Sequence, residues 1–138
     1  MDKSEILAII KEIPTCFLAT VDGNQARVRG MEKFRADEDG IILYTSKVKD
    51  VYQQVAKNPD VEICFLSDKG GMQIRVSGKM ETVEDTGIKE ELISARPFLK
   101  PIVEKVGYDG LAILRLKNGK ATTWTMKDMA LPKTFIDL

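Results

Sequence analysis

Seven strand-like segments, short turns between most of them, and helical periodicity confined to a few insertions predict an α+β fold. The expected architecture is a closed or nearly closed, mainly antiparallel β-barrel with peripheral helices. A doubly wound sheet is not expected, because strands and helices do not alternate along the chain. With 138 residues and no repeat, low-complexity tract or Pro/Gly/Ser-rich linker, the chain is expected to form one domain over residues 1–138.

The elements follow in order. Residues 4–13 place Ile6, Ile10 and Ile13 at helical spacing, with Ser4 as the expected N-cap and Pro14 as the stop. Cys16 to Val21 reads as a strand, and Asp22-Gly23 as the hairpin turn after it. A second strand is expected from about Gln25 to Ala36, bent near Gly30, and Asp37-Glu38-Asp39-Gly40 closes it. Ile41 to Thr45 reads as the third strand. Val48, Val51, Tyr52 and Val55 then follow the i, i+3, i+4, i+7 pattern of a short helix ending at Asn58-Pro59.

Val61 to Ser67 returns to strand, with a turn at Asp68-Lys69-Gly70-Gly71. Met72 to Met80 alternates, with Met72, Ile74 and Val76 on one face and Gln73, Arg75 and Ser77 on the other. Thr86 to Lys105 suggests two short helices broken near Pro97, with Pro101 in the first turn of the second. Leu111 to Leu116 and Ala121 to Met126 are expected to pair as a last hairpin around Asn118-Gly119.

Composition excludes several function classes. There is no histidine, which removes histidine-based triads, a histidine general base, histidine-ligated zinc and histidine-held haem. Cys16 and Cys64 are too few for a thiolate-only metal site and fall within apolar strand patterns, as buried structural thiols do. Demanding chemistry would therefore come from an organic cofactor. Twenty-one basic and twenty-one acidic residues leave no net charge, which argues against a nucleic-acid partner. No apolar run approaches the ~20 residues that span a bilayer. The charged N-terminus is unlike a signal peptide, so no membrane association and a cytoplasmic location are expected.

Three segments carry candidate binding chemistry. In Tyr44-Thr45-Ser46-Lys47-Val48-Lys49-Asp50 a strand ends in hydroxyls and lysines just before a helix, whose free amides and dipole favour a phosphate. Equally, Thr45 or Ser46 could cap the helix while the lysines stay solvated. Arg27 and Arg29, at i and i+2, share one face of a strand and can offer forked donors, or can be matched to Glu32 or other carboxylates. Gln73 and Arg75 share a face that could meet a planar ligand or form an ordinary polar exterior. Trp124, the one tryptophan, could stack on a ring or anchor an interface. No Rossmann or Walker glycine loop and no acid/base carboxylate pair is recognisable.

In their joint order these segments resemble the pyridoxamine 5'-phosphate oxidase-like family of FMN-binding split barrels, in particular its short bacterial members. The resemblance is carried by an N-terminal helix followed by Cys16-Phe17-Leu18-Ala19-Thr20-Val21-Asp22-Gly23 and Arg27-Val28-Arg29. It continues through Leu43-Tyr44-Thr45-Ser46, Lys49-Asp50-Val51-Tyr52, Asn58-Pro59-Asp60-Val61-Glu62 and Arg75-Val76-Ser77-Gly78-Lys79. It implies a six- to seven-stranded split β-barrel with peripheral helices, assembled as a homodimer with FMN in clefts at the subunit interface.

By that resemblance Arg27, Val28 and Arg29 line the flavin, and Tyr44, Thr45 and Ser46 approach the flavin and its ribityl phosphate. Lys49 and Lys47 lie near the phosphate, Gln73 and Arg75 reach the flavin from the partner subunit, and Trp124 lies near a C-terminal segment of the cleft. The oxidase proper has an Arg-Lys pair where this chain has Asp50-Val51, and a C-terminal Arg and His that hold its substrate, for which no histidine exists here. The resemblance thus implies an FMN-dependent oxidoreductase of an unidentified small molecule, with an electron donor such as NAD(P)H, rather than a true pyridoxamine phosphate oxidase. A non-catalytic flavin carrier, sensor or stress-associated protein is the alternative, and an empty barrel for another ligand or a protein partner is a third.

Overall fold

A computed structural model describes residues 1–138. Six antiparallel strands close a barrel: β1 (Thr15–Asp22), β2 (Gln25–Asp37), β3 (Gly40–Ser46), β4 (Asp60–Leu66), β5 (Gln73–Val83) and β6 (Leu111–Leu116). The ring runs β1-β2-β3-β6-β5-β4, and β4 closes it by pairing with both β5 and β1. Two further strands, β7 (Lys120–Trp124) and β8 (Ile136–Asp137), extend the sheet from β5. Four helices complete the chain: α1 (Lys3–Lys11), α2 (Asp50–Lys57), α3 (Thr86–Ala95) and α4 (Lys100–Gly110).

Period-two alternation puts Leu18, Ile63, Phe65, Ile74 and Val76 inside the barrel, where Ile6 and Ile10 of α1 and Val51 and Val55 of α2 join them. A second cluster covers the outside of β3 and β6, where Ile88, Leu92 and Ile93 of α3 meet Ile42 and Ile113. Strand β3 is therefore buried on both faces, with Ile41, Ile42 and Leu43 all at most 1% exposed. This explains its unbroken apolar run.

The expected α+β barrel is present, but several local expectations are corrected. Asp2, not Ser4, caps α1, its carboxylate accepting from the Glu5 amide at 2.9 Å. The first hairpin turns on Gly23-Asn24 rather than Asp22-Gly23, since Asp22 still pairs with Gln25. Gly23 supplies the positive φ of 63° that such a tight loop needs. Strand β2 passes Gly30 in register, and its irregularity falls between Lys33 and Arg35 instead. There the Lys33 ammonium, 5% exposed, turns inward and donates to the Ile10 and Lys11 carbonyls at 2.7 and 2.9 Å. A buried lysine thus satisfies the C-terminal carbonyls of α1. Burial pushes its pKa below the usual lysine value.

The largest correction concerns the expected final hairpin. β6 and β7 do not pair with each other. β6 lies along β5 from Val83 to Met80, and β7 continues along the same edge from Ser77 to Gln73. The two are one interrupted strand that jogs at residues 117–119 and ends at Trp124, not Met126. Asn118-Gly119 suits a two-residue hairpin, but here Asn118 alone takes a left-handed φ of 58° and the chain keeps its direction. Gly119 fits because a Cβ there would lie 2.5 Å from Leu116 Cδ2 and 2.6 Å from Val76 Cγ1.

Gly119→Ala should therefore destabilise the protein by about 1–3 kcal/mol through overpacking. Thermal unfolding should show a Tm several degrees lower, and an unchanged Tm would refute the close approach.

Candidate functional site

An open cleft of about 1380 Å³ lies between the first half of β2, the end of β3 and helix α2. It exceeds the roughly 300–1,000 Å³ of an ordinary small-molecule pocket, as expected of a groove open to solvent. Of the residues singled out from sequence, Arg27, Val28, Arg29, Tyr44, Thr45 and Lys49 line it. Asp22, Asp50, Gln53, Gln54 and Lys57 also line it and escaped sequence reasoning.

The chain enters α2 through Lys49, whose backbone is extended and whose side chain makes no capping bond. Neither Thr45 nor Ser46 serves as the cap. Ser46 Oγ instead accepts weakly from the Val48 amide at 3.4 Å. The first turn of α2 thus begins without a side-chain acceptor on its amides, the condition under which a helix start attracts an anion. Asp50, in that same turn, opposes such an anion.

Arg27 and Arg29 share a face, opposite Thr20 and Leu18 of β1, but differ in surroundings. Arg27 is exposed and meets Asp22 at 3.3 Å. Arg29 has no carboxylate in hydrogen-bond contact. Its Nη1 donates to Thr20 Oγ1 at 2.7 Å and to the Leu18 carbonyl at 3.2 Å, and its Nη2 donates to Gln54 Oε1. The Thr20 hydroxyl in turn donates to the same Gln54 oxygen at 2.6 Å. Burial is the leading cause lowering the Arg29 pKa, while the charge of Asp50 partly offsets it. Gln54 had a legible signal: one position from Val55 and three from Val51, it is a polar residue on the buried side of α2.

Glu32 is taken up elsewhere, accepting from the Tyr44 hydroxyl at 2.9 Å and from Arg96 Nε. Burial, then this hydrogen bond, raises the Tyr44 pKa from 10.0 to about 12. Lys49 and Lys57 make no ion pair.

Five expected site residues do not line this cleft. Ser46 ends β3, ahead of the turn that leads into α2. Lys47 pairs with Glu84 at 2.8 Å and lies 5.7 Å from the centre of the Tyr52 ring. Gln73, Arg75 and Trp124 lie together on the outer face of the sheet, where Gln73 is directly opposite Trp124 and Arg75 Nε contacts Glu62 at 2.9 Å. Register places Phe17, Val28 and Leu66 on this same face, exposed by 47%, 69% and 50%. Cys64 is half-buried there, whereas burial pushes the inward Cys16 thiol up to about 12.

A six-stranded barrel whose sixth strand continues through a jog into β7, with a cation-lined cleft beside it, is a split β-barrel. The chain belongs to the pyridoxamine 5'-phosphate oxidase family, whose sequence model matches residues 2–124. It is similar to a NimC/NimA family protein from Clostridium acetobutylicum, with 28% identity, a TM-score of 0.78, and coverage of 98% of this chain and 92% of that one. A protein related to general stress protein 26, also from Clostridium acetobutylicum, shares the fold at 16% identity and a TM-score of 0.74, over 98% and 93% of the chains. A pyridoxamine 5'-phosphate oxidase-related, FMN binding protein from Nostoc punctiforme shares it at 11% identity and a TM-score of 0.66, over 99% and 96%. No curated protein matches the chain in sequence.

The Tyr44 environment has a pH signature. The folded state holds the phenolic proton more tightly than the unfolded state, so this contribution to stability is present below pH 10.0 and is lost as pH rises through about 12. An alkaline titration of phenolate absorbance should contain a component near pH 12 that is missing in Tyr44→Phe. A wild-type titration identical to that of the variant, once scaled for tyrosine number, would contradict the Tyr44–Glu32 bond.

Proposed function

We propose that the protein is an FMN-dependent oxidoreductase that acts as a homodimer on a small molecule. The observation that carries this reading is the cleft itself. A partly buried arginine without a carboxylate contact, an unpaired lysine and an uncapped helix start converge on one groove. Those groups suit a phosphate monoester. Family membership, and the description of the similar Nostoc punctiforme protein as FMN binding, make flavin mononucleotide the phosphate ester of choice.

The flavin, when bound, supplies hydride or electron transfer, so the absence of histidine is no obstacle. The chain's own residues would hold the phosphate through Lys49 and Arg29 and orient the ring along β2. Pyridoxamine phosphate oxidation is not proposed, since the C-terminal segment carries neither arginine nor histidine. The open side of the cleft along β2 leaves room for a second copy in a dimer. Val28 belongs both to the cleft and to the exposed sheet face, and a second copy on that face would bring Gln73, Arg75 and Trp124 toward the groove. No helix is long and apolar enough to cross a membrane. The two free cysteines suit a reducing compartment, which fits a cytoplasmic location with NAD(P)H as a candidate electron donor.

Size-exclusion chromatography with light scattering should give a dimer that carries the visible bands of a flavin, released by acid as FMN. A colourless protein that FMN does not stabilise against heat would overturn the cofactor, and a monomer that binds FMN would overturn the shared cleft. Lys49→Ala should weaken FMN by roughly 3- to 10-fold while sparing riboflavin, which lacks the phosphate. Equal losses for the two would move the phosphate away from Lys49.

A further inference from the structure

We propose that Gln54 is a ligand-binding, specificity-determining residue of the cleft that donates a hydrogen bond to a phosphate oxygen. This inference rests on the FMN reading above and names a group that neither the family resemblance nor the charge pattern points to. Gln54 is only 9% exposed, yet it lines the cleft. Its Oε1 is taken by two donors, the Thr20 hydroxyl and Arg29 Nη2.

That double engagement decides which way the amide points. Turning the amide over would set its N–H groups against the Arg29 guanidinium, which has only donors, and would leave Nη2 of that guanidinium without its acceptor. The Nε2 group is therefore held on the other side, where no atom of the chain accepts from it. Nε2 keeps contact with solvent, so its two donor sites are available to an acceptor in the cleft that Gln54 lines. The network has a fixed sense: Arg29 donates to Thr20, Thr20 and Arg29 donate to Gln54, and Gln54 donates outward.

Charge identifies the acceptor class. Four cations line the cleft, Arg27, Arg29, Lys49 and Lys57, against two carboxylates, Asp22 and Asp50. The surplus of two positive charges balances the roughly −1.5 to −2 charge of a phosphate monoester near neutral pH. A ketone or ring carbonyl would use the Gln54 amide but would leave that surplus unanswered.

Gln54→Glu separates this role from a structural one. The carboxylate still accepts from Thr20 and Arg29, so the internal network survives, but the atom facing the ligand becomes an anionic acceptor. Fluorescence titration of the purified protein, stripped of any bound flavin, is expected to show FMN affinity lowered at least about tenfold, with riboflavin changed by less than about threefold. Should the glutamate variant fail to fold, Gln54→Met removes the Nε2 donor together with the Oε1 acceptor of Thr20 and Arg29 without adding charge, and the preference for FMN over riboflavin should fall by roughly 3- to 10-fold. A folded variant that keeps the wild-type preference overturns the role of Gln54 alone. A wild-type protein that binds neither flavin overturns the FMN reading, and this inference with it.

Discussion

The whole architecture depends on one edge of β5 being shared by two successive strands. β6 occupies its C-terminal half and β7 its N-terminal half, and the chain passes between them without reversing. That passage requires Gly119 to approach Leu116 and Val76 more closely than any side chain allows. With the jog in place, the other edge of β5 stays free for β4, and pairing of β4 with β1 closes the ring. A true hairpin at Asn118-Gly119 would place β7 against an edge of β6, both of whose sides are already taken by β3 and β5.

Strand β2 carries the two buried-side cations that define the rest. Lys33 and Arg29 both turn toward neutral acceptors, carbonyl oxygens of α1 in one case and Thr20, Gln54 and Leu18 in the other. Removing charge from water costs several kcal/mol unless polar partners replace the solvent, and here backbone and amide dipoles do so. The outcomes differ. Lys33 is enclosed and serves to fasten α1, whereas Arg29 remains at the cleft with its charge unneutralised by contact. The same strand thus anchors a helix at one end and builds a binding surface at the other.

Much of this was legible in the chain. The alternation around Ile74 and Val76 gave β5 its inward face, and the i, i+2 spacing of Arg27 and Arg29 put both on one side of β2. Pro97 and Pro101 marked the break between α3 and α4. What was not legible depended on partners distant in sequence. Asn118-Gly119 satisfies both a reversing turn and a single left-handed step, and only the competition of β3 and β5 for the edges of β6 decides between them. Thr45 and Ser46 looked like caps because their chemistry permits it, but a turn through Lys47 and Val48 separates them from α2. Gln54 acquires its meaning from Thr20 and Arg29, 34 and 25 residues away.

Val28 gives the exposed sheet a consequence beyond its apolar character. Its side chain, 69% exposed, belongs to the rim of the cleft and to the sheet surface that carries Phe17 and Leu66. A second copy on that surface, as proposed, would also change the rim, so occupancy of the groove and association through the sheet would be thermodynamically linked. In the proposed dimer the linkage is reciprocal: each ligand bound tightens the pair, and dilution of the protein loosens the ligand. The apparent affinity of a cleft shared in that way would be a property of protein concentration as much as of the residues that line it.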